Sequence, residues 1–338
     1  MTVRKHKQKE RGISMKRIQM NNTDLTVSPI AIGTVNFGSS VDSKTAKHQL
    51  DLFFELGGNF IDTAHVYGDW APGPKGKSER IIGEWLNAAG VRKEIAISTK
   101  GGHPDLSDMD LLKITPGRVK KDLEESIEYL KTDYIDLYFL HRDNPDVPVG
   151  EFLGVLEEAK DEGMIRYYGC SNWKLERIIA AENYAKKHNY TGFICNQLMW
   201  SLADINSRGV EDKTLVFMDE KTYEYHKKTG LNAMAYTAAA KGYFTKLYSG
   251  VTIPEKTAAK YNTPSNSVIF DELVKTAEKL NVSLIEVELA FLMHQDFVCI
   301  PIVTFSNDEQ LKQGIKSCDL ELEHEIVEKF RSMKKYVL

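Results

Sequence analysis

Cysteine is scarce, with four in 338 residues. Cys170, Cys195, Cys299 and Cys318 include no pair two residues apart, which removes the short-spaced motifs of zinc and redox sites. In so long a chain they do not read as a disulfide framework either, and free thiols in a reducing compartment, the cytoplasm, are expected. No apolar run reaches the roughly 18 residues of a spanning helix, and the N-terminal region lacks the apolar core of a secretory signal. Charge of one sign is also missing. Lys plus Arg number 44 and Asp plus Glu 48, so the net charge of -4 gives no general attraction to nucleic acid or anionic membranes. No linker or shift of composition divides the chain. At about 150 residues per domain the length suggests two domains, but one (β/α)8 barrel of about 250 residues with extensions fits as well.

What is present is a regular alternation. A basic stretch, Arg4 to Arg11, reads as part of a solvated, flexible tail over residues 1–16. Arg17–Met20 and Leu25–Val27 flank Asn21-Asn22-Thr23-Asp24, a hairpin signal. Apolar strand-like runs then recur at 29–33, 59–62, 94–99, 134–140, 165–169, 192–198, 231–236 and 297–302. Between them lie helix-periodic segments: 44–56, with Ser43 as its cap, then 78–88, 116–130, 149–162, 174–187, 213–229, 266–280 with 284–293, and finally 308–315 with 321–334. Short, continuously apolar strands are those of a parallel sheet covered on both faces. Eight such units predict an α/β fold, a (β/α)8 TIM barrel over residues 17–338 with an N-terminal β-hairpin across its bottom; the rival, a doubly wound sheet, would use the same elements but leave an open edge.

Chemistry in such a barrel sits at the C-terminal ends of the strands. That rule selects Asp62 with Tyr67, Lys100, and His141-Arg142-Asp143. A phenol has a reference pKa near 10, and an adjacent ammonium lowers it. Lys100 beside Tyr67, paired with Asp62 and faced by His141, would make a proton donor next to a polarised oxygen, suited to carbonyl reduction. The same residues admit a buried structural pair (Asp62, Lys100), a loop aromatic (Tyr67) and a core histidine (His141). They also admit a lyase in which Lys100 forms a Schiff base. The later strand ends suit a nucleotide. Ser171, Asn172 and Gln197 can meet a carboxamide, Tyr236 can stack on a ring, and the helix start after Ser306 can receive phosphate.

Taken in order, GTVNFG (33–38), NFIDTAHVYG (59–68), ISTK (97–100), DYIDLYFLHRD (133–143), GCSNW (169–173), NQLMWS (196–201) and PIVTFSNDEQL (301–311) resemble the NADP(H)-dependent aldo-keto reductases. The resemblance implies that Tyr67 is the general acid, with Asp62, Lys100 and His141 as partners. It implies that Ser171, Asn172 and Gln197 hold the nicotinamide carboxamide, that Tyr236 stacks on the ring, and that Gly33, Thr34 and Val35 approach its other side. Thr237 and Gly242 would line the diphosphate channel, and Ser306 and Gln310 would face the 2′-phosphate and adenine. Many relatives place a basic residue at the position of Ser306 and Asn at that of Gly314. Both are missing here, which favours NADPH less strongly over NADH.

Gly76-Lys77-Ser78 resembles the end of a phosphate loop, but Ala71 replaces the required glycine, and a helix start is the expected role. His103, His141 and Asp143 lack metal-ligand spacing, so no metal is expected. Phe37, Trp70, His103, Trp200 and Tyr243 are the expected walls of a pocket for a small carbonyl substrate, with Asp69–Gly76 a loop that shapes it. The chain stops soon after its last helix, so no long C-terminal flap is expected, and two insertions, Asp204–Glu211 and Leu247–Pro264, would partly replace one. A non-catalytic nicotinamide-nucleotide-binding module, like the channel-associated relatives of that family, is the other class that the resemblance admits.

Overall fold

A computed structural model describes residues 15–109 and 114–335. The expected tail falls almost wholly outside the described residues. Eight parallel strands close into a barrel: β3 (Ala31–Gly33), β4 (Phe60–Asp62), β5 (Ala96–Gly101), β6 (Ile135–Leu140), β7 (Ile165–Ser171), β8 (Cys195–Met199), β9 (Asn232–Tyr236) and β10 (Cys299–Val303). Closure is direct, because Ile302 of β10 stands opposite Ala31 of β3. Most strand residues are buried, as continuous apolar runs require when helices cover the outside and side chains fill the inside.

Before the barrel, β1 (Ile18–Gln19) and β2 (Thr26–Val27) form an antiparallel hairpin. Its Met20, Leu25 and Val27 pack with Ala31, Phe60, Ala96, Ile194 and Ile300, residues at or near the starts of barrel strands. Asn21 also bonds Asn232 and the Gly230 carbonyl. The hairpin therefore plugs the end of the barrel opposite the strand C-termini, as the sequence suggested.

Local chemistry fixes the helices. Helix α1 (Ser43–Glu55) is capped by Asp42, one residue before the expected Ser43, because the Asp42 carboxylate accepts from Thr45 N. Helix α2 (Lys77–Ala89) starts after Gly76 in a left-handed turn. Helix α3 (Pro116–Leu130) has Thr115 as cap and proline in its first turn. Helices α4 (Val149–Asp161) and α5 (Leu175–His188) follow the expected spans closely.

Helix α6 (Glu220–Thr229) is shorter than the expected 213–229. Asp219 caps it, and the preceding residues lie extended on the barrel rim. Phe217 bridges to Met199, Val216 N donates to Asn172 Oδ1, and the Val216 carbonyl accepts from Met199 N. Backbone partners at the end of β8 thus outweigh local helix preference. The two expected insertions carry structure of their own. The first contains a single 3-10 turn, Ser207–Gly209. The second takes in the end of α7 (Tyr243–Tyr248) and all of α8 (Glu255–Tyr261). Helix α9 (Pro264–Leu280) follows at once, capped by Thr263. Helix α10 (Leu284–Met293) has a capping box of Ser283 and Glu286. Helices α11 (Asp308–Lys316) and α12 (His324–Met333) complete the outer layer. No helix among the described residues is long and apolar enough to cross a membrane.

Candidate active site

Asp62 closes β4, and its register partner across the sheet is Ser98 of β5. Lys100 lies two residues beyond Ser98, so both side chains take the same face of the strand. The Lys100 ammonium donates to Asp62 Oδ2 at 2.8 Å and to the Thr63 carbonyl at 2.6 Å. Its third contact is the Tyr67 hydroxyl at 3.4 Å. The turn after β4 delivers that hydroxyl, with Tyr67 N donating to the Ala64 carbonyl. The Tyr67 ring meets His141 edge-on at 5.9 Å and Trp70 at 6.3 Å. The four residues expected to share one mouth are joined by these contacts.

Electrostatics separates their protonation states. Burial disfavours the Lys100 ammonium, but Asp62 and Tyr67 outweigh it and hold the amine above the usual lysine range. A Schiff base requires the neutral amine, so this pairing weighs against a lyase. Burial raises the Tyr67 pKa, and the neighbouring ammonium reverses only part of that rise. The ammonium alone would give the lowered value expected from the sequence, but desolvation outweighs it. The result is a firmly protonated phenol. His141 is pushed well below the usual histidine range by burial and by His103, so it is a neutral imidazole. Its Nδ1 is buried and has no hydrogen-bond partner among the described residues. His103 is held neutral as well, down to about 4, chiefly by burial, and packs against His141 at 4.7 Å.

The later strand ends form a polar rim. Asn172 Oδ1 accepts from the Tyr236 hydroxyl at 2.6 Å, and Asn172 Nδ2 donates to Ser171 Oγ at 3.0 Å. Gln197 Nε2 instead reaches Asp62 Oδ1 at 2.9 Å. After β9 the chain turns sharply, with Thr237, Ala240, Lys241 and Gly242 all at positive φ. Three of these are not glycine, and such strain clusters where backbone must approach a ligand. Thr34 is buried, with its hydroxyl donating to the Asp62 carbonyl, and Val35 is half-buried beside it. Gly33 is required by space, since a Cβ there would lie 2.9 Å from the Ile302 side chain. Ser306 and Gln310 are exposed at the start of α11, joined by Ser306 N donating to Gln310 Oε1.

The expected pocket walls divide into two groups. Trp70, 49% exposed, and His103 stand at Tyr67 and His141. Phe37 is fully buried. Trp200 sits among Tyr223, Phe291 and Phe297, and Tyr243 packs on Phe244 and Tyr261. These three fill the core instead of facing an open pocket, because apolar rings next to a strand end can turn toward the helices as readily as toward the mouth. Loop Asp69–Gly76 is pinned by Lys77, whose ammonium donates to the carbonyls of Gly68 and Ala71.

Three contributors escaped the sequence reading. Ser98 Oγ donates to Asp62 Oδ1 at 2.8 Å, and period-two spacing from Lys100 is the signal that would have found it. Arg142 was noted at a strand end without a role. It is buried, and it ties the rim segment through Thr214 and Asp212 at 2.8 and 3.2 Å. A cluster of His65, Asp122 and Glu125 lies behind the mouth and could hold a metal ion. Asp122 is already bonded by Arg118 at 2.7 Å and Gly102 N at 2.9 Å.

The structure thus sets a phenol, an ammonium, a carboxylate and an imidazole together at the mouth of a closed eight-stranded barrel. Residues 29–335 match the model of the aldo/keto reductase family, and the chain belongs to that family. It is 27% identical over 320 residues to the uncharacterized oxidoreductase YrpG of Bacillus subtilis strain 168, a match covering 93% of this chain and 94% of the relative. It is 26% identical over 322 residues to norsolorinic acid reductase of Aspergillus flavus, covering 91% and 78% respectively. A solved aldo/keto reductase from Klebsiella pneumoniae, in complex with NADP and acetate, shares the fold with a TM-score of 0.67 at 21% identity, covering 92% of each chain.

Proposed function

We propose that the chain catalyses reversible hydride transfer between NADP(H) and an aldehyde, ketone or sugar-derived carbonyl, with the corresponding alcohol as product. The observation that carries this reading is the Tyr67 hydroxyl beside a Lys100 ammonium that Asp62 holds in place. Family membership supports it, as do a relative named as a reductase and a fold neighbour in complex with NADP.

The residues present fit a nicotinamide nucleotide. Ser171, Asn172 and Gln197 offer hydroxyl and amide groups complementary to a primary carboxamide, and Tyr236 and Val35 are open enough to meet a ring. Gly33 and Thr34 shape the strand end between them. The left-handed turn through Thr237 and Gly242 can admit a diphosphate against backbone N–H groups, and Ser306 and Gln310 would meet the 2′-phosphate and adenine. NADPH is favoured over NADH, with a margin reduced by the neutral Ser306. Bound there, the cofactor supplies the hydride that adds to the carbonyl carbon.

The chain's own residues manage the oxygen. Tyr67 donates its proton as negative charge develops there, and Lys100 stabilises the phenolate left behind. Asp62 keeps Lys100 charged and aimed. His141 is neutral, so it can hold the carbonyl oxygen with one N–H without competing as an acid. Trp70 and His103 would bound the substrate, and the proposed partner is therefore a small carbonyl compound, with no nucleic acid or membrane. The four free thiols suit the cytoplasm.

Intrinsic-fluorescence titration with NADPH and NADH, followed by a carbonyl panel monitored through loss of reduced nicotinamide, tests the reading. Tighter NADPH binding with turnover supports it, and no binding of either nucleotide overturns it. Binding without turnover across the panel would favour the non-catalytic module. Activity without nicotinamide and a borohydride-trapped adduct on Lys100 would favour the lyase.

A further inference from the structure

Asp62 is gripped at both oxygens. Oδ2 pairs with Lys100 Nζ at 2.8 Å, while Oδ1 accepts from Ser98 Oγ at 2.8 Å and Gln197 Nε2 at 2.9 Å. Each of these four residues is at most 2% exposed. Ser98 reaches Asp62 because the two are register partners on β5 and β4, whereas Gln197 comes from β8 across the barrel interior.

A buried carboxylate held only by a lysine can still turn about its Cβ–Cγ bond. Two donors on the other oxygen fix its plane. The consequence is felt at Tyr67, because the 3.4 Å separation from Lys100 Nζ is close to the limit of a hydrogen bond. A displacement of Nζ by a few tenths of an ångström would remove that contact. The ammonium would still have Asp62 and the Thr63 carbonyl, so the fold would tolerate the change better than the chemistry.

We propose that Ser98 is a positioning residue: with Gln197 it locks Oδ1 of Asp62, so that Oδ2, and through it Lys100, stays set against the Tyr67 hydroxyl. This rests on the reading of Tyr67 as the acid. Gln197 then serves with both ends of its amide. Nε2 holds Asp62, and its oxygen is the end that can accept from a carboxamide, which ties the nucleotide to the lysine through one side chain.

Ser98→Ala tests the proposal, in the intact chain and with Tyr67→Phe added. Ala removes the hydroxyl and introduces no bulk. The kcat of Ser98→Ala should fall about tenfold, the scale of one charge-assisted hydrogen bond. Carbonyl KM and NADPH Kd should stay within about twofold. With Tyr67→Phe already present, the further loss should shrink to within about twofold, because the hydroxyl that the clamp serves is gone. An unchanged kcat, or the same fold-loss in both backgrounds, would overturn the clamp.

A crystal structure of Ser98→Ala gives a readout free of turnover. A turned Asp62 carboxylate, with Lys100 drawn away from Tyr67, supports the proposal, and an unmoved Asp62–Lys100–Tyr67 arrangement overturns it. A wild-type chain inactive on every carbonyl, alongside a variant whose Asp62 has turned, would sink the reductase reading and leave the clamp standing.

Discussion

Replacing Tyr67 with Phe separates chemistry from architecture, because the hydroxyl contributes little to the fold. Among the described residues its one hydrogen-bond contact is Lys100 at 3.4 Å, too long to be strong. The ring contacts do not need the oxygen. The edge-on meetings with His141 at 5.9 Å and Trp70 at 6.3 Å remain, and the Lys100 ammonium lies 4.9 Å from the ring centroid with or without the hydroxyl. Lys100 keeps its Asp62 and Thr63 partners. Stability should therefore change by less than about 1 kcal/mol, the net worth of an ordinary hydrogen bond. Turnover should fall roughly 10²-fold or more, the usual effect of losing a positioned acid, equivalent to about 2.7 kcal/mol of barrier. Steady-state loss of reduced nicotinamide absorbance measures the turnover. Fluorescence titration measures NADPH affinity, expected to be unchanged, and thermal unfolding checks the fold. Nearly wild-type turnover in a folded Tyr67→Phe protein would refute the assignment of Tyr67, whatever the barrel and cofactor.

Lys100→Met should lower turnover and also cost about 3–5 kcal/mol of stability, because it strands the Asp62 carboxylate in a buried site. Adding Asp62→Asn should restore part of that stability in urea unfolding, and no recovery would mean the pair is not what the fold needs. Burial raises the Glu79 carboxyl to about 7, against an ordinary value of 4.5. The protonated form therefore favours the folded state below the unfolded value, and that advantage, about 3 kcal/mol, is lost as pH rises through about 7. Glu79→Gln should flatten this decline between about pH 5 and 8, and parallel stability curves for variant and wild type would contradict it. Ser306→Arg should tighten NADPH binding about tenfold at low salt while sparing NADH, and the gain should shrink as salt rises. An equal gain for both nucleotides would remove Ser306 from the 2′-phosphate.

The α/β class was legible because eight apolar runs alternate with helix-periodic segments, and the count of eight favoured a barrel over a doubly wound sheet, which needs the same elements but leaves an open edge. Helix α6 was misread at its start because Leu215-Val216-Phe217-Met218 is apolar whichever structure it adopts. Its extended form depends on Met199 and Asn172, partners that no local window contains. The strand-end rule selects Asp62, Lys100 and His141, which the structure brings together, but it looks only at last residues and so passes over Ser98. The contact between Gln197 and Asp62 spans the barrel and has no counterpart in spacing. Sign errors arose where burial decides, as at Tyr67, since a sequence displays neighbouring charges but not desolvation. Ring placement was the least legible feature, because the same alternation permits Trp200 and Tyr243 to pack toward the helices.

Ser306 and Gly314 belong to one local arrangement around α11. A Cβ on Gly314 would stand 2.5 Å from the Phe305 ring, so that aromatic from the preceding loop leaves no room for a larger side chain at 314. Gln310 turns back to accept from Ser306 N, and Asn307 caps α11 by accepting from Gln310 N. Asp308 and Glu309 occupy the first turn. They complement the helix dipole, but they also place negative charge where a 2′-phosphate is proposed to bind. Midway along the proposed nucleotide path, the left-handed turn carries Lys241, and Lys246 lies against it, donating to the Lys241 carbonyl. Two lysines and the left-handed backbone thus lie together at the turn proposed to meet the diphosphate. That distribution predicts a grip centred on the parts common to NADPH and NADH, and it is the physical reason to expect that a single arginine at position 306 would sharpen the choice between them.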